Sequence, residues 1–293
     1  MKKNKINRLI GAHMSIAGGP YKAFERGEVV GCTAIQIFTK SQSQWKARPL
    51  DDEEIAKFKE EQERTEIFAV AHAAYLPNLA SPDNALWKKS FEAMVIEMER
   101  CDMLGLPYLI FHPGSHTEDT RENGIERVAR SLRELYEAEN FEVALTLETT
   151  AGQGTNLGSS FEELAEIIEK SGVSEKLKVC YDTCHTFAAG YDIRTEETYE
   201  KTWGKFDKTI GRERLVAVHL NDSKYELGKR RDRHEHIGEG SIGLDGFRNI
   251  MNDKKLIKIP MILETPKGKK TRDGSDIEMD PVNIEKLLDL IED

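Results

Sequence analysis

The stretch VALTLETTAGQGTNLGSSFEELAEIIEKSG, residues 143–172, contains the unit from which the rest of the chain is built. Residues 143–147 form a short apolar run, whereas the segment from Ser159 onward has the helical spacing of apolar residues behind a capping serine. Similar apolar runs occur at residues 9–12, 34–38, 67–71, 108–111, 143–147, 178–181, 215–220 and 259–263. Eight strand–helix alternations without a long linker predict an α/β fold, a single-domain TIM (β/α)8 barrel, rather than an open doubly wound sheet.

The length and composition of the chain agree with one barrel domain. Its 293 residues, of which 39% are hydrophobic and 32% charged, predict a large core under a hydrated surface and exclude disordered and collagen-like classes. We assign residues 1–293 to this domain, with a variable tail at about 266–293 that ends in a helix. Because no apolar run reaches the roughly 18 residues of a membrane span, and none follows the basic N-terminus, we expect a cytoplasmic protein without membrane contact.

Two further patterns exclude other kinds of site. The glycines after the first predicted strand, in GAHMSIAGGP at residues 11–20, do not match the dinucleotide-binding fingerprint, so nicotinamide chemistry is not expected. Scattered cysteines in a long chain indicate buried free thiols rather than disulfides or a cysteine-rich zinc site. These cysteines are Cys32, Cys101, Cys180 and Cys184.

Histidines and acidic residues stand at the carboxyl ends of the last six predicted strands, where a TIM barrel places its active site. They are His72, His112, Glu148, Asp182, His219 and Glu264. His185 follows Asp182 along the chain, and an extended loop after the seventh strand would direct Asp232 and His234 to one side. We therefore expect these groups to converge at one rim of the barrel.

Any one of these residues alone would more often be a structural histidine or a solvated carboxylate than a ligand. Together, four carboxylates and five imidazoles in one cavity would be prohibitively costly to bury unless metal cations balanced them. Imidazole and carboxylate without thiolate suit Zn²⁺, with Mn²⁺ or Fe²⁺ as substitutes, and with one bridging carboxylate the set suits three ions. Of the remaining histidines, we expect His13 to line or brace the site, and His116 and His236 to be structural.

Several longer motifs resemble those of the bacterial-type endonuclease IV family, in the same order and spacing. They are GAHMSIAGG (11–19), FHPGSH (111–116), LETTAGQGTNLG (147–158), DTCHTFAAGYD (182–192), HLNDSK (219–224), DRHEHIGEGSIG (232–243) and LETP (263–266). The resemblance extends from about residue 11 to residue 264. It implies a TIM barrel with three zinc ions, which agrees with the prediction from the strand ends.

The resemblance also implies a ligand set for each ion. His72, His112 and Glu148 would hold the first ion, and Glu148 would bridge to the second. Asp182, His219 and Glu264 would complete the second, and His185, Asp232 and His234 would hold the third. Glu148 and Glu264 would be catalytic as well, because they would orient the nucleophile, a water shared by the first two ions. The third ion would stabilise the leaving 3′-oxygen.

The substrate that the resemblance implies is double-stranded DNA. The enzyme would cut on the 5′ side of abasic sites, leaving a 3′-hydroxyl and a 5′-deoxyribose phosphate, and would also remove groups that block 3′ ends. Tyr75 and Leu76 would insert into the DNA, with Trp45 nearby, although the first two could also be ordinary loop residues. The position where the family commonly carries an inserting arginine is Ser43, so we expect weaker or more salt-sensitive DNA binding. A monomer is expected, associated with the nucleoid if the cell is bacterial.

The net charge of −10 argues against a nucleic-acid partner unless it is compensated locally. Three zinc ions would change the total charge to −4 and place their positive charge where the phosphate must bind. Basic side chains at 40–48 (Lys40, Lys46 and Arg48) and at 229–233 would add phosphate contacts on the same rim. Three other functions remain open on the same barrel. These are a metal-dependent sugar isomerase or epimerase, a DNA-damage binding protein without catalysis, and a metallophosphatase acting on small molecules.

Overall fold

Eight parallel strands form a closed barrel in the computed structural model, which describes residues 8–270 and 276–292. The strands in the described part of the chain are β1 (Ile10–His13), β2 (Ala34–Phe38), β3 (Phe68–His72), β4 (Tyr108–Phe111), β5 (Ala144–Glu148), β6 (Lys178–Asp182), β7 (Leu215–His219), β8 (Asp222–Ser223), β9 (His234–Glu235), β10 (Met261–Leu263), β11 (Gly268–Lys270) and β12 (Asp276–Glu278). The barrel consists of β1–β7 in sequence order and closes through β10, which pairs with both β7 and β1. The pairs β8–β9 and β11–β12 are small antiparallel hairpins outside it.

The helices surround the barrel. They are α1 (Lys22–Val30), α2 (Asp52–Thr65), α3 (Asn84–Leu104), α4 (Arg121–Ala138), α5 (Phe161–Ser171), α6 (Thr183–Ala189), α7 (Glu196–Thr209), α8 (Gly243–Asn252) and α9 (Met279–Asp289). Their ends follow the local sequence: Asp51 caps α2 with a capping box, the Ser160 hydroxyl accepts the Glu163 backbone N–H, and Gly105 ends α3 with a φ of 71°. None of the helices in the described ranges is long and apolar enough to cross a membrane.

The residues inside the barrel show which side chains at the strand ends point inward. Val70, Ile110, Cys180 and Ala217, from four different strands, are fully buried and form a small cluster separate from the main core between strands and helices. Because side chains alternate along a strand, the residue two positions later also points inward. The inward positions at the carboxyl ends of these strands are His72, His112, Asp182 and His219.

The predicted TIM barrel is confirmed, with small shifts in the strand bounds. β2 and β4 have the predicted bounds, whereas β1, β3 and β5 lie one residue later, β6 extends to Asp182 and β7 ends at His219. The last barrel strand begins at Met261 rather than at residue 259, and Pro260 before it has no N–H to donate to a neighbouring strand. In the predicted variable tail, α9 is the expected final helix, while residues 271–275 lie outside the described residues.

Candidate metal centre

Six of the predicted ligands stand at the carboxyl rim of the barrel. β3, β5, β6 and β7 end on the predicted residue itself, and the first residue after β4 and after β10 supplies the other two. In this order they are His72, Glu148, Asp182, His219, His112 and Glu264. The shift of β3 and β5 by one residue brings His72 and Glu148 inside paired strands, so the barrel hydrogen bonds hold the backbone that carries them.

Glu148 lies at the centre of the cluster, and its carboxylate is fully buried. Its Oε2 atom is 2.9 Å from His72 Nε2 and 3.2 Å from His112 Nε2. Its Oε1 atom is 3.0 Å from His219 Nδ1 and 3.2 Å from His185 Nδ1. One carboxylate thus contacts four imidazoles, with two on each oxygen, which is an arrangement suited to a bridging ligand.

A second group of donors shares Glu148 and is largely buried. His219 Nδ1 is 3.3 Å from Glu264 Oε2 and 3.7 Å from Asp182 Oδ2. One ligand atom from each of Glu148, Asp182, His219 and Glu264 lies within 4.8 Å of the other three. Asp182 and His219 are fully buried, so this group is closed to solvent except near Glu264.

The third group joins α6 to the loop that leads into β9. His185 Nε2 is 3.2 Å from Asp232 Oδ1 and 3.4 Å from His234 Nε2. Asp232 and His234 therefore point to the same side, as the extended loop predicts. The Asp232 side chain is 43% exposed, which makes this group the open edge of the cluster.

The electrostatics of the cluster fit a site for cations. Within residues 8–270 and 276–292, none of the four carboxylates forms an ion pair with a lysine or arginine. Burial alone would lower the pKa of His185, but the carboxylates of Asp182 and Asp232 outweigh it and raise that pKa well above its usual value. Burial likewise opposes ionisation of Glu148, yet the surrounding imidazoles hold its pKa well below the usual range. Metal ions would supply the positive charge that the metal-free chain can obtain only by protonating its histidines.

Gln36 on β2 supports this cluster, although it was not among the predicted site residues. Its Nε2 group donates to Glu264 Oε1 at 2.6 Å, and its Oε1 atom accepts from His219 Nε2 at 2.8 Å. The second bond leaves His219 Nδ1 facing the carboxylates, so Gln36 sets the orientation and tautomer of this imidazole. A fully buried glutamine in the otherwise apolar strand AIQIF was the signal that could have revealed it.

Asn221 is a second supporting residue that sequence reasoning missed. Its Nδ2 group donates to Asp182 Oδ2 at 2.7 Å, and its Oδ1 atom accepts the backbone N–H of Glu264 at 2.8 Å. The side chain therefore ties the end of β6 to the end of β10 across β7. The motif HLND, which places this asparagine two residues after His219, carried the signal.

The two cysteines nearest the cluster are free buried thiols, as predicted. Cys180 lies inside the barrel, and burial raises its pKa to about 12. Cys184 lies within 4.8 Å of donor atoms of Asp182 and His234, but its thiol is directed to the Arg233 carbonyl oxygen at 3.5 Å. Burial raises the pKa of Cys184 to about 12 as well, which disfavours the thiolate that a metal would need.

Of the three remaining histidines, one lines the cluster and two are structural. His13 Nδ1 is 3.0 Å from Gln36 Nε2, and its ring is tilted by 52° relative to that of Phe38, with 4.2 Å between ring centroids, so it lines the cluster. Burial lowers the pKa of His13 to about 3. His116 and His236 are structural: the first bonds the Asp119 carbonyl oxygen and the second contacts Asn283 on α9.

The predicted DNA-contacting residues lie on two loops beside the cluster. Tyr75 is 58% exposed, and its ring centroid is 5.4 Å from that of His72 and 5.9 Å from that of His112. Leu76 is half-buried next to it. On the neighbouring loop Ser43 is exposed, and Trp45 is half-buried under the Lys89 ammonium group, 4.2 Å from the ring centroid.

The predicted phosphate contact by Lys40 is wrong. This side chain is 4% exposed, and its ammonium group lies 3.1 Å from Glu97 Oε1 and donates to the Gln44 carbonyl oxygen at 2.9 Å. Arg48 is exposed, but its guanidinium group makes a bidentate contact with the Glu54 carboxylate. Lys46 is exposed. The sequence suggested a basic loop, but a partner on a distant helix neutralises one of its lysines.

Comparisons with known proteins agree with the fold and show the family of the chain. A family model described as a xylose isomerase-like TIM barrel matches residues 24–286. The chain is 49% identical over 283 residues to probable endonuclease 4 of Chloroflexus aggregans, covering 96% of this chain and 97% of that protein. It is 46% identical over 288 residues to probable endonuclease 4 of Geobacter sulfurreducens, covering 98% and 95%.

Solved structures have a similar fold. Endonuclease IV from Thermus thermophilus superposes with a TM-score of 0.81 at 36% identity, over 96% of this chain and 98% of that one. A D-tagatose 3-epimerase-like protein superposes with a TM-score of 0.71 at 21% identity, over 96% of each chain. At that identity the second likeness concerns the fold alone.

Proposed function

The chain belongs to the endonuclease IV family, and from this premise we propose that it is a DNA repair endonuclease that hydrolyses the phosphodiester bond 5′ to abasic sites in duplex DNA. The proposed products are a 3′-hydroxyl and a 5′-deoxyribose phosphate, and blocked 3′ ends are a further substrate. We also propose that the protein works as a monomer, in the cytoplasm and at the nucleoid if the cell is bacterial.

The observation that supports this proposal best is the arrangement of the nine donors around Glu148. They form three groups, in each of which the donor atoms lie within 4.8 Å of one another, and Glu148 belongs to two of them. The proposed groups are His72, His112 and Glu148; Glu148, Asp182, His219 and Glu264; and His185, Asp232 and His234. Nitrogen and oxygen donors without a thiolate fit Zn²⁺, and Mn²⁺ or Fe²⁺ would fit as substitutes.

Zinc bound in these groups would lower the pKa of a coordinated water and offset the negative charge that builds on the phosphate during hydrolysis. The residues of the chain supply the positions. Glu148 and Glu264, whose carboxylates both approach His219, would orient the attacking water. Gln36 holds Glu264 and His219 in place, and the exposed edge at Asp232 is where the substrate phosphate can enter.

The exposed rim would recognise the DNA. Tyr75 stands above the first group with its ring near two of the proposed ligands, so it could fill the space left by a missing base and direct the sugar to the cluster. Leu76 would wedge beside it, and Trp45 and Ser43 would contact the duplex from the neighbouring loop. An apolar and aromatic wedge next to a buried hydrolytic centre suits a duplex with a gap better than a small phosphate ester or a sugar.

Incision of a duplex with one tetrahydrofuran site tests this function, because that analogue cannot break by β-elimination. We expect a nick on its 5′ side that leaves a 3′-hydroxyl, and much slower cutting of an undamaged duplex, a single strand or a nitrophenyl phosphodiester. Tight binding without a nick would indicate a damage-binding protein instead. Epimerisation of a ketose, or preference for the small phosphodiester, would replace the proposal with one of the other two functions.

Replacement of Gln36 tests the role of the support behind the ligands. Gln36→Met keeps the volume but removes both hydrogen bonds, so we expect zinc affinity to fall about 10- to 100-fold, as is typical for the loss of an outer-shell partner. The measurement is the metal retained after dialysis against buffers of fixed free zinc. Gln62→Met on α2 is the matched control, and equal zinc retention by the two variants would contradict the role of Gln36.

Ser43→Arg tests whether this position contacts DNA. A guanidinium at an exposed site on the rim would meet the duplex, so we expect tighter binding at low salt and a salt dependence steeper by about 0.9 in log–log slope, the value for one phosphate contact. The measurement is binding of the tetrahydrofuran duplex over a salt series. Ser41→Arg, two residues earlier on the same loop, is the control. No gain in Ser43→Arg over both the native protein and this control would refute the contact.

A further inference from the structure

The two loops that carry the proposed DNA contacts are both fastened to one helix. The 39–51 loop, between β2 and α2, carries Ser43 and Trp45. The 73–83 loop, between β3 and α3, carries Tyr75 and Leu76. Both loops are bonded to buried polar side chains of α3, the helix that follows the second loop.

Glu97 on α3 joins the two loops directly. Its carboxylate is 1% exposed and accepts the Thr39 hydroxyl and, at 3.1 Å, the Lys40 ammonium group of the 39–51 loop. The same carboxylate accepts the backbone N–H of Ala74, at 3.2 Å, from the 73–83 loop. Thr39 and Lys40 are buried as well. One side chain therefore sets the separation between the starts of the two loops.

Neighbouring residues of α3 fasten the rest of the 39–51 loop. The Arg100 guanidinium donates to the Thr39 carbonyl oxygen at 2.9 and 2.6 Å and to the Arg48 carbonyl oxygen at 2.9 Å. Lys40, held by Glu97, donates to the Gln44 carbonyl oxygen at 2.9 Å, and Lys89 covers the ring of Trp45. The loop is thus attached to α3 at its beginning, middle and end.

This network needs charged groups, although burying them is unfavourable. An ion pair taken out of water loses hydration that its mutual attraction only partly restores, and well-packed apolar side chains of similar size are often at least as stable. Apolar side chains, however, could not bond the Ala74 N–H or the carbonyl oxygens of Thr39, Gln44 and Arg48. What the polar network adds over apolar packing is a fixed path for the backbone of both loops.

We propose that Glu97 is a positioning residue for lesion recognition, which sets the spacing between the 39–51 loop and the 73–83 loop so that both engage the same abasic site. The inference rests on the proposed function. Its bonds lie next to the side chains concerned: Ala74 immediately precedes Tyr75, and Gln44, held through Lys40, immediately precedes Trp45. Glu97 has no contact with the metal centre among its hydrogen bonds and ion pairs in the described ranges, so it acts on binding rather than on chemistry.

Single-turnover incision of the tetrahydrofuran duplex by the zinc-loaded protein separates these two effects. For Glu97→Gln we expect the enzyme concentration at half-maximal rate to rise about 10- to 100-fold, since a displacement near 1 Å can have an effect of that size. The maximal rate should stay within about threefold of native, because the metal ligands are untouched. A duplex with 2-aminopurine beside the lesion should show a smaller rise in fluorescence on binding, because insertion of the loop residues is impaired.

Two further variants separate positioning from general stability. Lys40→Met combined with Glu97→Gln removes both charges of the pair, so neither is left buried without the other, and Arg100 keeps its carbonyl partners. The chain should fold, yet the half-maximal concentration should still rise. Asp253→Asn is the matched control at the amino end of the barrel, where the carboxylate accepts the Tyr199 hydroxyl at 2.9 Å and contacts Arg212. It should lower the melting temperature without changing half-maximal concentration.

The results that would overturn the role of Glu97 differ from those that would overturn the proposed function. If the native protein does not cut the tetrahydrofuran duplex, the proposed function fails. If the native protein cuts and the folded double variant reaches half-maximal rate within twofold of native, Glu97 does not position the loops. An equal rise in Asp253→Asn, or an effect on maximal rate alone, would also overturn the inference.

Discussion

Glu148→Gln is expected to slow single-turnover incision of a tetrahydrofuran duplex by roughly 10³-fold or more. The native carboxylate contacts four imidazoles and belongs to two of the three donor groups. An amide keeps the shape but loses the negative charge, and its NH₂ group cannot coordinate a metal. The variant would therefore lose both the bridge between two sites and the group that orients the attacking water.

The comparison variant for this experiment is Asp280→Asn. Asp280 is also a buried carboxylate, 1% exposed and paired with Lys267, but it lies on α9 outside the cluster. The Asp280→Asn variant should cut the duplex at a rate within a few-fold of the native rate. The measurement is the burst rate on the 5′ side of the lesion, with circular dichroism to confirm folding of both variants. A folded Glu148→Gln protein that cuts within tenfold of native would contradict the role assigned to this residue.

Removal of metal is expected to abolish incision and to destabilise the protein. Without cations, the carboxylates of Glu148, Asp182 and Glu264 face one another across a buried cavity with only protonated imidazoles to balance them. Ligands that bind only the folded state stabilise it by about 4 kcal/mol each at a thousandfold excess over their dissociation constant. Loss of three such ions would cost roughly 12 kcal/mol, so chelation should eliminate cutting and lower the melting temperature by roughly 20 degrees.

Differential scanning calorimetry before and after chelation measures the stability effect, with incision assayed on the same samples. Readdition of Zn²⁺ should restore both properties, with Mn²⁺ as a partial substitute, whereas Ca²⁺ should restore neither because the imidazole donors do not suit it. A chelated protein that melts at the native temperature would show that the cluster does not hold metal in the folded chain.

The positions of the proposed ligands could be predicted from the sequence because they depend on local rules. In a parallel barrel the carboxyl ends of the strands meet at one rim, so a histidine or acid at the end of six strands identifies the site without knowledge of any contact. Errors of one residue in the bounds of β3 and β5 did not matter, since His72 and Glu148 remain at the rim whether they end the strand or follow it.

The supporting residues could not be read in the same way because they depend on contacts between distant parts of the chain. Gln36 meets Glu264 across 228 positions, and although a glutamine within the apolar strand AIQIF is unusual, the strand does not show which residues it bonds. Lys40 was predicted to contact phosphate because it belongs to a basic cluster with Lys46 and Arg48, but Glu97, which lies on a helix beyond the next strand, holds it in the interior. Such pairs become visible only when the packing of α3 against both loops is known.

The measurement that tests the account most directly is a zinc titration of the chelated protein, with bound metal determined by mass spectrometry and incision of the tetrahydrofuran duplex assayed on the same samples. We predict that cutting appears only as zinc binds and reaches its maximum near three ions per chain. Full incision by the metal-free protein, or a chain loaded with three ions that leaves the duplex intact, would contradict the proposed metal-dependent endonuclease.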